Sequence, residues 1–422
     1  MRLAIFTSQF PGRVSTFFAR DVRALLEAGF DIDIFAIYPL EPALWRYVPD
    51  CLGEDILPRS KIHHVNFDQI LRSAKLIPSE KFGTFLRDTA AISVSAARFG
   101  VEPLAKSTYV LGKGLAWACQ FPHNFDHVLA YWGNYAATCA YLFNRLIDRP
   151  VPFSMFLHAG TDLYRNRVFL RQKLLYANNI IVVCEFNRNF IREYYPDIFH
   201  SIADKIHLHH LGLDLAELPY EPEGRQVKKV LGVGGLEKYK GFDYLLRATR
   251  ELKCRGIDIE VELVGDGKER KSLEALVRKL EITDRVKFRG WLPFDQVRNI
   301  MKQTTILVHP SIGLGDAVPT VIKESMALGT PVVASNVAGI PELLDGGRCG
   351  MLVPPKNVEA LADAIKTMLA NAAMRQTYAD AARKYAEEQF DLWRNGRRLA
   401  RVLSSTKRRI VAVSSQEGVL HE

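Results

Sequence analysis

The sequence predicts an α/β protein of two domains, each a parallel sheet covered by helices. Three observations carry this. Short apolar strands alternate with helical patterns along the second half, as strands buried on both faces do. The first half repeats the scheme less regularly. At 422 residues each half is long enough to bury its own core, and a polar stretch, Glu217–Lys229, lies between them.

In the first domain (1–216) the expected strands are Leu3–Phe6, Ile32–Ile37, Val128–Tyr131, Phe153–Leu157, Ile180–Val183 and Ile206–His209. A helix fits Thr16–Ala28, with Gly29 to end it. The segment from about 69 to 119 reads as a helical insertion. It is amphipathic, with Lys75, Lys81, Arg87, Arg98, Lys106 and Lys113 among apolar residues. A solvated basic face and a contact with a membrane surface both fit that pattern. Residues 217–229, with Pro219, Pro222 and Gly224, read as the linker.

In the second domain (230–388) Val230–Val233, Ile259–Val264, Val286–Phe288, Ile306–Val308, Val332–Ala334 and Met351–Val353 are the expected strands. Helices are expected near Phe242–Lys253, Glu269–Leu280, Phe294–Lys302, Thr320–Leu328, Pro341–Leu344 and Val358–Leu369. Residues 389–422 read as a last helix and tail packing back on the first domain. In a sheet of this kind ligands bind at the carboxyl ends of the strands.

Composition excludes several classes. The chain is 48% hydrophobic and 24% charged, as in an ordinary globular protein. Six cysteines are scattered without a C-x-x-C pair, so neither a zinc site nor a disulfide framework is expected, and a cytoplasmic setting is. Met1–Phe6 is too short and too soon interrupted to be a signal peptide, and no 18-residue apolar run offers a membrane span. A net charge of +9, from 56 basic and 47 acidic residues, favours anionic partners. Without a zinc finger, an RNA-binding aromatic signature or a long basic block, nucleic acid is not among them.

Residues 316–334 are the most informative stretch. Pro319 is placed to open a helix, where its missing N–H costs nothing, and Gly329 to close it. The amides of Val318, Thr320 and Val321 then lie free at a positive helix end, which suits an anionic oxygen. Glu324 falls on the helix face of Val321 and Leu328 and so points into protein, where a carboxylate needs donors. A ribose diol would supply two; a salt bridge would serve as well, and the spacing does not choose. The loop Gly232–Gly241 follows a strand, and its glycines, Gly234 and Gly235 among them, let amides approach a phosphate whose charge Lys240 can meet. His158 ends a strand in the first half, and Phe10-Pro11-Gly12-Arg13 ends another, placed to wall a cleft. Asp31 and Asp33 spell a D-x-D motif but open an alternating strand, so solvated edge charges are expected there. Histidines 207, 209 and 210 read as structural.

Together these segments resemble the retaining glycosyltransferases of family 4, whose GT-B fold sets two Rossmann-like domains face to face. Gly234–Gly241 resembles the family's G-R-L-x-x-x-K-G loop, and Asp316 with Glu324 its E-x7-E motif. Leu263–Gly267, Val286–Gly290, Gly339–Leu343 and Gly350–Pro355 match as well. Phe10-Pro11 followed by Thr16-Phe17, and His158 to Asp162, are similar to bacterial exopolysaccharide enzymes of the colanic acid type. The resemblance implies a nucleotide-sugar donor, with Lys240 on the diphosphate, the amides of Val318–Val321 on phosphate and Glu324 on the ribose. Asp316 would face the transferred sugar, and backbone around Arg289 to Leu292 would meet the base. His158 would sit across the cleft near the reactive sugar carbon and the acceptor, as a catalytic residue beside Lys240 and Asp316, with Gly12, Arg13 and Asp162 lining the acceptor side. The implied acceptor is a saccharide, with a lipid-linked oligosaccharide on the cytoplasmic membrane face as the expected form. No metal or other cofactor is implied. A nucleotide-sugar epimerase of the same fold and a weakly active partner subunit are the alternatives.

Two departures stand out. Gly235 replaces the family's arginine, removing one positive charge from the leaving diphosphate unless Lys238, Arg289 or a first-domain arginine substitutes. The first acid is also shortened to Asp316.

Overall fold

A computed structural model describes residues 1–12, 16–47, 52–73, 75–121, 124–160, 162–165 and 167–406. Arg13 and Thr161 lie outside the described residues. The first domain holds β1 (Arg2–Thr7), α1 (Thr16–Glu27), β2 (Asp31–Ala36), β3 (Ile62–His63), α2 (Phe67–Ser73), α3 (Ser79–Ala97), α4 (Val101–Gln120) and β4 (His127–Ala130). It continues through α5 (Tyr135–Leu146), β5 (Phe153–Leu157), α6 (Leu170–Tyr176), β6 (Asn179–Val182), α7 (Glu185–Tyr194), α8 (Pro196–Ile202) and β7 (Ile206–Leu208). The second holds β8 (Lys229–Val233), α9 (Phe242–Cys254), β9 (Glu260–Val264), α10 (Arg270–Lys279), β10 (Val286–Gly290), α11 (Phe294–Gln303) and β11 (Ile306–His309). After these come α12 (Thr320–Leu328), β12 (Val332–Ser335), α13 (Ile340–Leu343), β13 (Met351–Val353), α14 (Val358–Ala370), α15 (Ala372–Gln389) and α16 (Leu392–Ser405).

Both sheets are parallel, in the orders β3-β2-β1-β4-β5-β6-β7 and β10-β9-β8-β11-β12-β13. Each reverses direction beside its first strand. That opens a crevice between the loops after β1 and β4 in one domain, and after β8 and β11 in the other. The apolar strands bury both faces, as the sequence pattern requires. Phe6 and Phe35 stack at 4.8 Å under Trp117 of α4. α16 returns to the first domain, where Leu399 and Leu403 join the core that holds Phe18 and Val22 of α1.

Four expectations change. The two-residue strand β3 adds a strand that the sequence does not predict, being too short to show a period. Asp33 is buried rather than a solvated edge charge, because β3 covers β2. It is bonded by His63 (2.7 Å) and Arg2 (3.1 Å), which outweigh the cost of burial and lower its pKa. Lys113 does not belong to the basic face of the insertion. It is buried between the rings of Tyr109 and Trp117, and burial lowers its pKa to about 8. The linker stretch is bound to the second domain: Arg225 donates to the carbonyls of Met301 (2.8 Å) and Leu328 (2.9 Å) and to Thr330 Oγ1 (2.7 Å). The chain passes between domains at Leu213 instead, whose amide donates to Phe390 O (2.7 Å) while Leu392 N donates back to Leu213 O (3.0 Å). Gly212 permits this, since a Cβ there would lie 2.4 Å from Leu392 Cα.

Candidate functional site

On the second domain the site is built by two loops that lock together. Gly241 has φ +68°, and a Cβ on it would lie 2.1 Å from the Pro310 carbonyl oxygen, so glycine alone lets the turn before it rest on the end of β11. The amide of Ile312 donates to Tyr239 O (2.8 Å) and closes the contact. Lys240 is thereby aimed at the loop after β11, where its Nζ donates to Asp316 Oδ1 at 2.7 Å. His309, the last residue of β11, donates from Nε2 to Asp316 Oδ2 at 2.6 Å. Burial alone would push the Asp316 carboxyl up, but His309 and Lys240 outweigh it and hold the group well below the usual carboxylate range. Asp316 is therefore an anion with both oxygens engaged.

The helix α12 begins just beyond. Pro319 stands at its N-cap, and no side chain caps the first turn. Gly329 ends it at φ +76°. Glu324 is buried one turn in, and its carboxylate Oε1 accepts from Arg20 Nη1 at 3.3 Å. This is the salt bridge the sequence left open beside the ribose, and its partner comes from α1 of the other domain. Neighbouring Lys323 also reaches the first domain and donates to Leu211 O at 2.6 Å, beside the crossing between domains.

The first domain answers with a ring rather than a charge. His158 follows β5 and is nearly fully buried against Trp132, Phe17 and Phe156. Its Nε2 lies 2.8 Å from the Tyr131 carbonyl, which can only accept, so Nε2 carries the proton. Burial lowers its pKa to about 4, so at neutral pH Nδ1 holds a lone pair, and that atom has no partner among the described residues. Asp162 is brought beside His158 but turned inward. Its Oδ2 accepts from the His158 amide (3.4 Å), and burial pushes its pKa up to about 7. It shapes the turn instead of facing the cleft. The turn itself crosses to the second domain: a Cβ on Gly160 would lie 3.9 Å from Gly315 Cα, next to Asp316. Glu342 of α13 makes a second bridge, accepting from the Glu185 amide (2.7 Å) and from His210 (3.3 Å).

Lys240, Asp316, Glu324, Val318, Pro319, Thr320 and Val321 thus gather at one end of the second sheet, and His158 faces them through the Gly160 turn. Gly234 (φ +153°) and Gly235 lie on the same edge, and a Cβ on Gly235 would meet no atom closer than 3.9 Å. Arg289, named as a possible substitute for the missing arginine, is paired with Glu262, whose Oε1 accepts from its Nη2 at 2.8 Å. Leu292 is half-buried beside Phe294, and Gly12 is buried below the end of β1. His309 and Arg20 were missed. His309 was legible as a polar residue ending an apolar strand; Arg20, inside a helix, gave no signal. Among the described residues no three His, Cys, Asp or Glu side chains gather as a metal cluster.

Two facing parallel-sheet domains with a charged cluster on one rim define the class of this protein: it has the GT-B fold. Residues 221–385 match the family model Glycosyl transferases group 1, so the chain carries a glycosyltransferase group 1 domain. It is 26% identical to the amylovoran biosynthesis glycosyltransferase AmsK of Erwinia amylovora over 432 aligned residues, covering 96% of this chain and 99% of AmsK. Among solved structures it resembles Anabaena HepE in complex with UDP (TM-score 0.67, 17% identity, 96% of this chain and 99% of HepE). It also resembles a sucrose-phosphate synthase of Thermosynechococcus elongatus (TM-score 0.69, 19% identity, 95% and 97%).

Proposed function

We propose that the protein transfers a sugar, with retention, from a nucleotide-sugar donor to a hydroxyl of a saccharide acceptor in exopolysaccharide biosynthesis. The arrangement of Lys240, Asp316 and the uncapped start of α12 around one point carries the reading. A leaving diphosphate develops negative charge, and an ammonium held in place beside oriented amides stabilises it without reorganising. Asp316, kept ionised, faces the electron-poor sugar ring, and Glu324 accepts from the ribose. His158 Nδ1 accepts from a hydroxyl of the transferred sugar. The acceptor hydroxyl attacks the face that the diphosphate leaves, and a phosphate oxygen takes its proton. No cofactor takes part in this scheme. The match to AmsK along nearly the whole chain supports the pathway, and HepE, a fold neighbour solved with UDP, supports a nucleotide-bearing donor.

The acceptor in this reading is lipid-linked, and α3 supports it. Phe82, Leu86, Ala90 and Val94 recur every four residues along an exposed stripe, with Arg87 and Arg98 exposed nearby. An exposed apolar stripe among basic residues fits an anionic membrane surface. Incubation with UDP-, GDP- and dTDP-sugars and a membrane-extracted acceptor, with the anomeric configuration of the product assigned by NMR, tests the proposal. A retained anomer lost in Lys240→Ala and Glu324→Ala is the expected result. Inversion rejects the mechanism, and donor conversion without acceptor would make the protein an epimerase.

A further inference from the structure

Glu324 has a neighbour that no part of the scheme above uses. Arg20 lies on α1 of the first domain, and its side chain crosses to the second, where it is 4% exposed. Its guanidinium sits between the Glu324 carboxylate (Nη1–Oε1 3.3 Å) and the ring of Phe294, whose centroid is 5.4 Å from Cζ. Phe294 starts α11, directly after the loop that holds Leu292. An arginine of one domain is therefore inserted between the carboxylate and the loop assigned to the ribose and base on the other.

The contact is single. One nitrogen meets one oxygen, not the two-point fork that arginine and carboxylate form when they bind only each other. A carboxylate has about four acceptor positions, so Oε2 and the remaining lone pair on Oε1 can take ribose hydroxyls while Arg20 stays. A buried carboxylate without a cation is costly, and Arg20 removes that cost before the donor arrives. We propose that Arg20 is a positioning residue for the donor: it fixes Glu324 across the cleft so that the carboxylate receives the ribose diol. Donor affinity then depends on the first domain although the nucleotide rests on the second.

The inference rests on the assignment of Glu324 to the ribose, and its test separates the two. Wild type, Arg20→Met, Arg20→Lys and Glu324→Gln are titrated calorimetrically with UDP, GDP and ADP, each beside its 2′,3′-dideoxy counterpart. Wild type should bind at least one ribonucleotide about ten-fold or more tightly than its dideoxy form, and Glu324→Gln should remove that preference. Arg20→Met should weaken the ribonucleotide about ten-fold and leave the dideoxy form within about two-fold; Arg20→Lys, which keeps a charged donor, should recover part of the loss. A merely structural role for Arg20 would weaken both forms alike, so the ratio reports positioning alone. Equal or tighter ribonucleotide binding by Arg20→Met, or parallel loss of both forms, overturns the role of Arg20 and leaves Glu324 in place. Absence of any preference in wild type, or its survival in Glu324→Gln, overturns the ribose assignment and this inference with it.

Discussion

The two rims of the cleft solve different problems with opposite chemistry. On the second domain Lys240, Asp316 and His309 form a compact charged cluster with its hydrogen bonds made at 2.6–2.7 Å. On the first, His158 is neutral, ringed by Trp132, Phe17, Tyr131 and Phe156, with one nitrogen tied to backbone and the other unpartnered among the described residues. A diphosphate brings charge that must be met by fixed charge. A sugar ring brings apolar faces and hydroxyls, which suit aromatic surface and a neutral acceptor. The contrast teaches that in this molecule charge belongs to the donor rim and shape to the other, and each rim can be broken alone.

Lys240→Ala strikes the charged rim hardest. It removes the ammonium from the leaving group and leaves Asp316 with His309 as its remaining hydrogen-bond partner there. Loss of such a contact costs on the order of 10²-fold or more in kcat. Steady-state kinetics with the accepted donor should show that loss, together with a lowered melting temperature, because buried Asp316 loses its cation. A rate within a few-fold of wild type would mean that the cluster is structural.

The neutral rim is tested by pH. His158 has its pKa lowered to about 4 by burial, against an ordinary value of 6.5. The unfolded chain therefore takes up this proton first, so stability is lost as pH falls from 6.5 towards 4 and levels off below. The shift corresponds to about 3 kcal/mol across that window. His158→Gln should flatten part of the slope in denaturant melts between pH 7 and 4, and activity should show no inflection near 6.5 from this ring. A titration of His158 followed by NMR with a midpoint near 6.5 would contradict its burial.

Much of the fold was legible, and unevenly so. Strands such as Ile306–His309 and Val332–Ser335 are apolar because both faces are buried, and that pattern survives in one dimension. The first turn of α12 and the Gly234–Gly241 loop were legible for a different reason: proline and glycine mark backbone that no other residue suits there. The rest depended on the third dimension. Arg20 lies on a helix with an ordinary polar pattern, and its meaning comes from Glu324, 304 residues away. Lys113 reads as one more surface lysine until Tyr109 and Trp117 close around it. His158 was found by its place at a strand end, but its neutrality comes from neighbours on several elements.

Gly235→Arg sharpens the comparison by adding charge to the rim that already carries it. A Cβ at Gly235 meets nothing closer than 3.9 Å, and its φ is not in the left-handed range, so the side chain fits without strain. The charge of Arg289 is already paired with Glu262. If the diphosphate is short of one cation, the variant should raise kcat up to about ten-fold, within the usual worth of a charge-assisted contact. No gain would show that another cation already serves the position, and Lys238, exposed in the same loop, would be the next to substitute.

The mildest test leaves both rims intact. Phe82→Asp with Leu86→Asp changes two side chains about half exposed on α3 (49% and 50%), away from both clusters. Exposed positions of this kind usually alter stability by no more than about 0.5 kcal/mol. The melting curve should therefore be nearly unchanged, as should turnover with a water-soluble acceptor. Sedimentation with vesicles containing anionic lipid should fall sharply, because two apolar anchors become like charges facing the bilayer. Turnover with a lipid-linked acceptor should fall with it. If vesicle binding persists, the stripe is not the membrane face. If turnover on both acceptors falls together, α3 serves the site itself and the separation of charge and shape between the rims is incomplete.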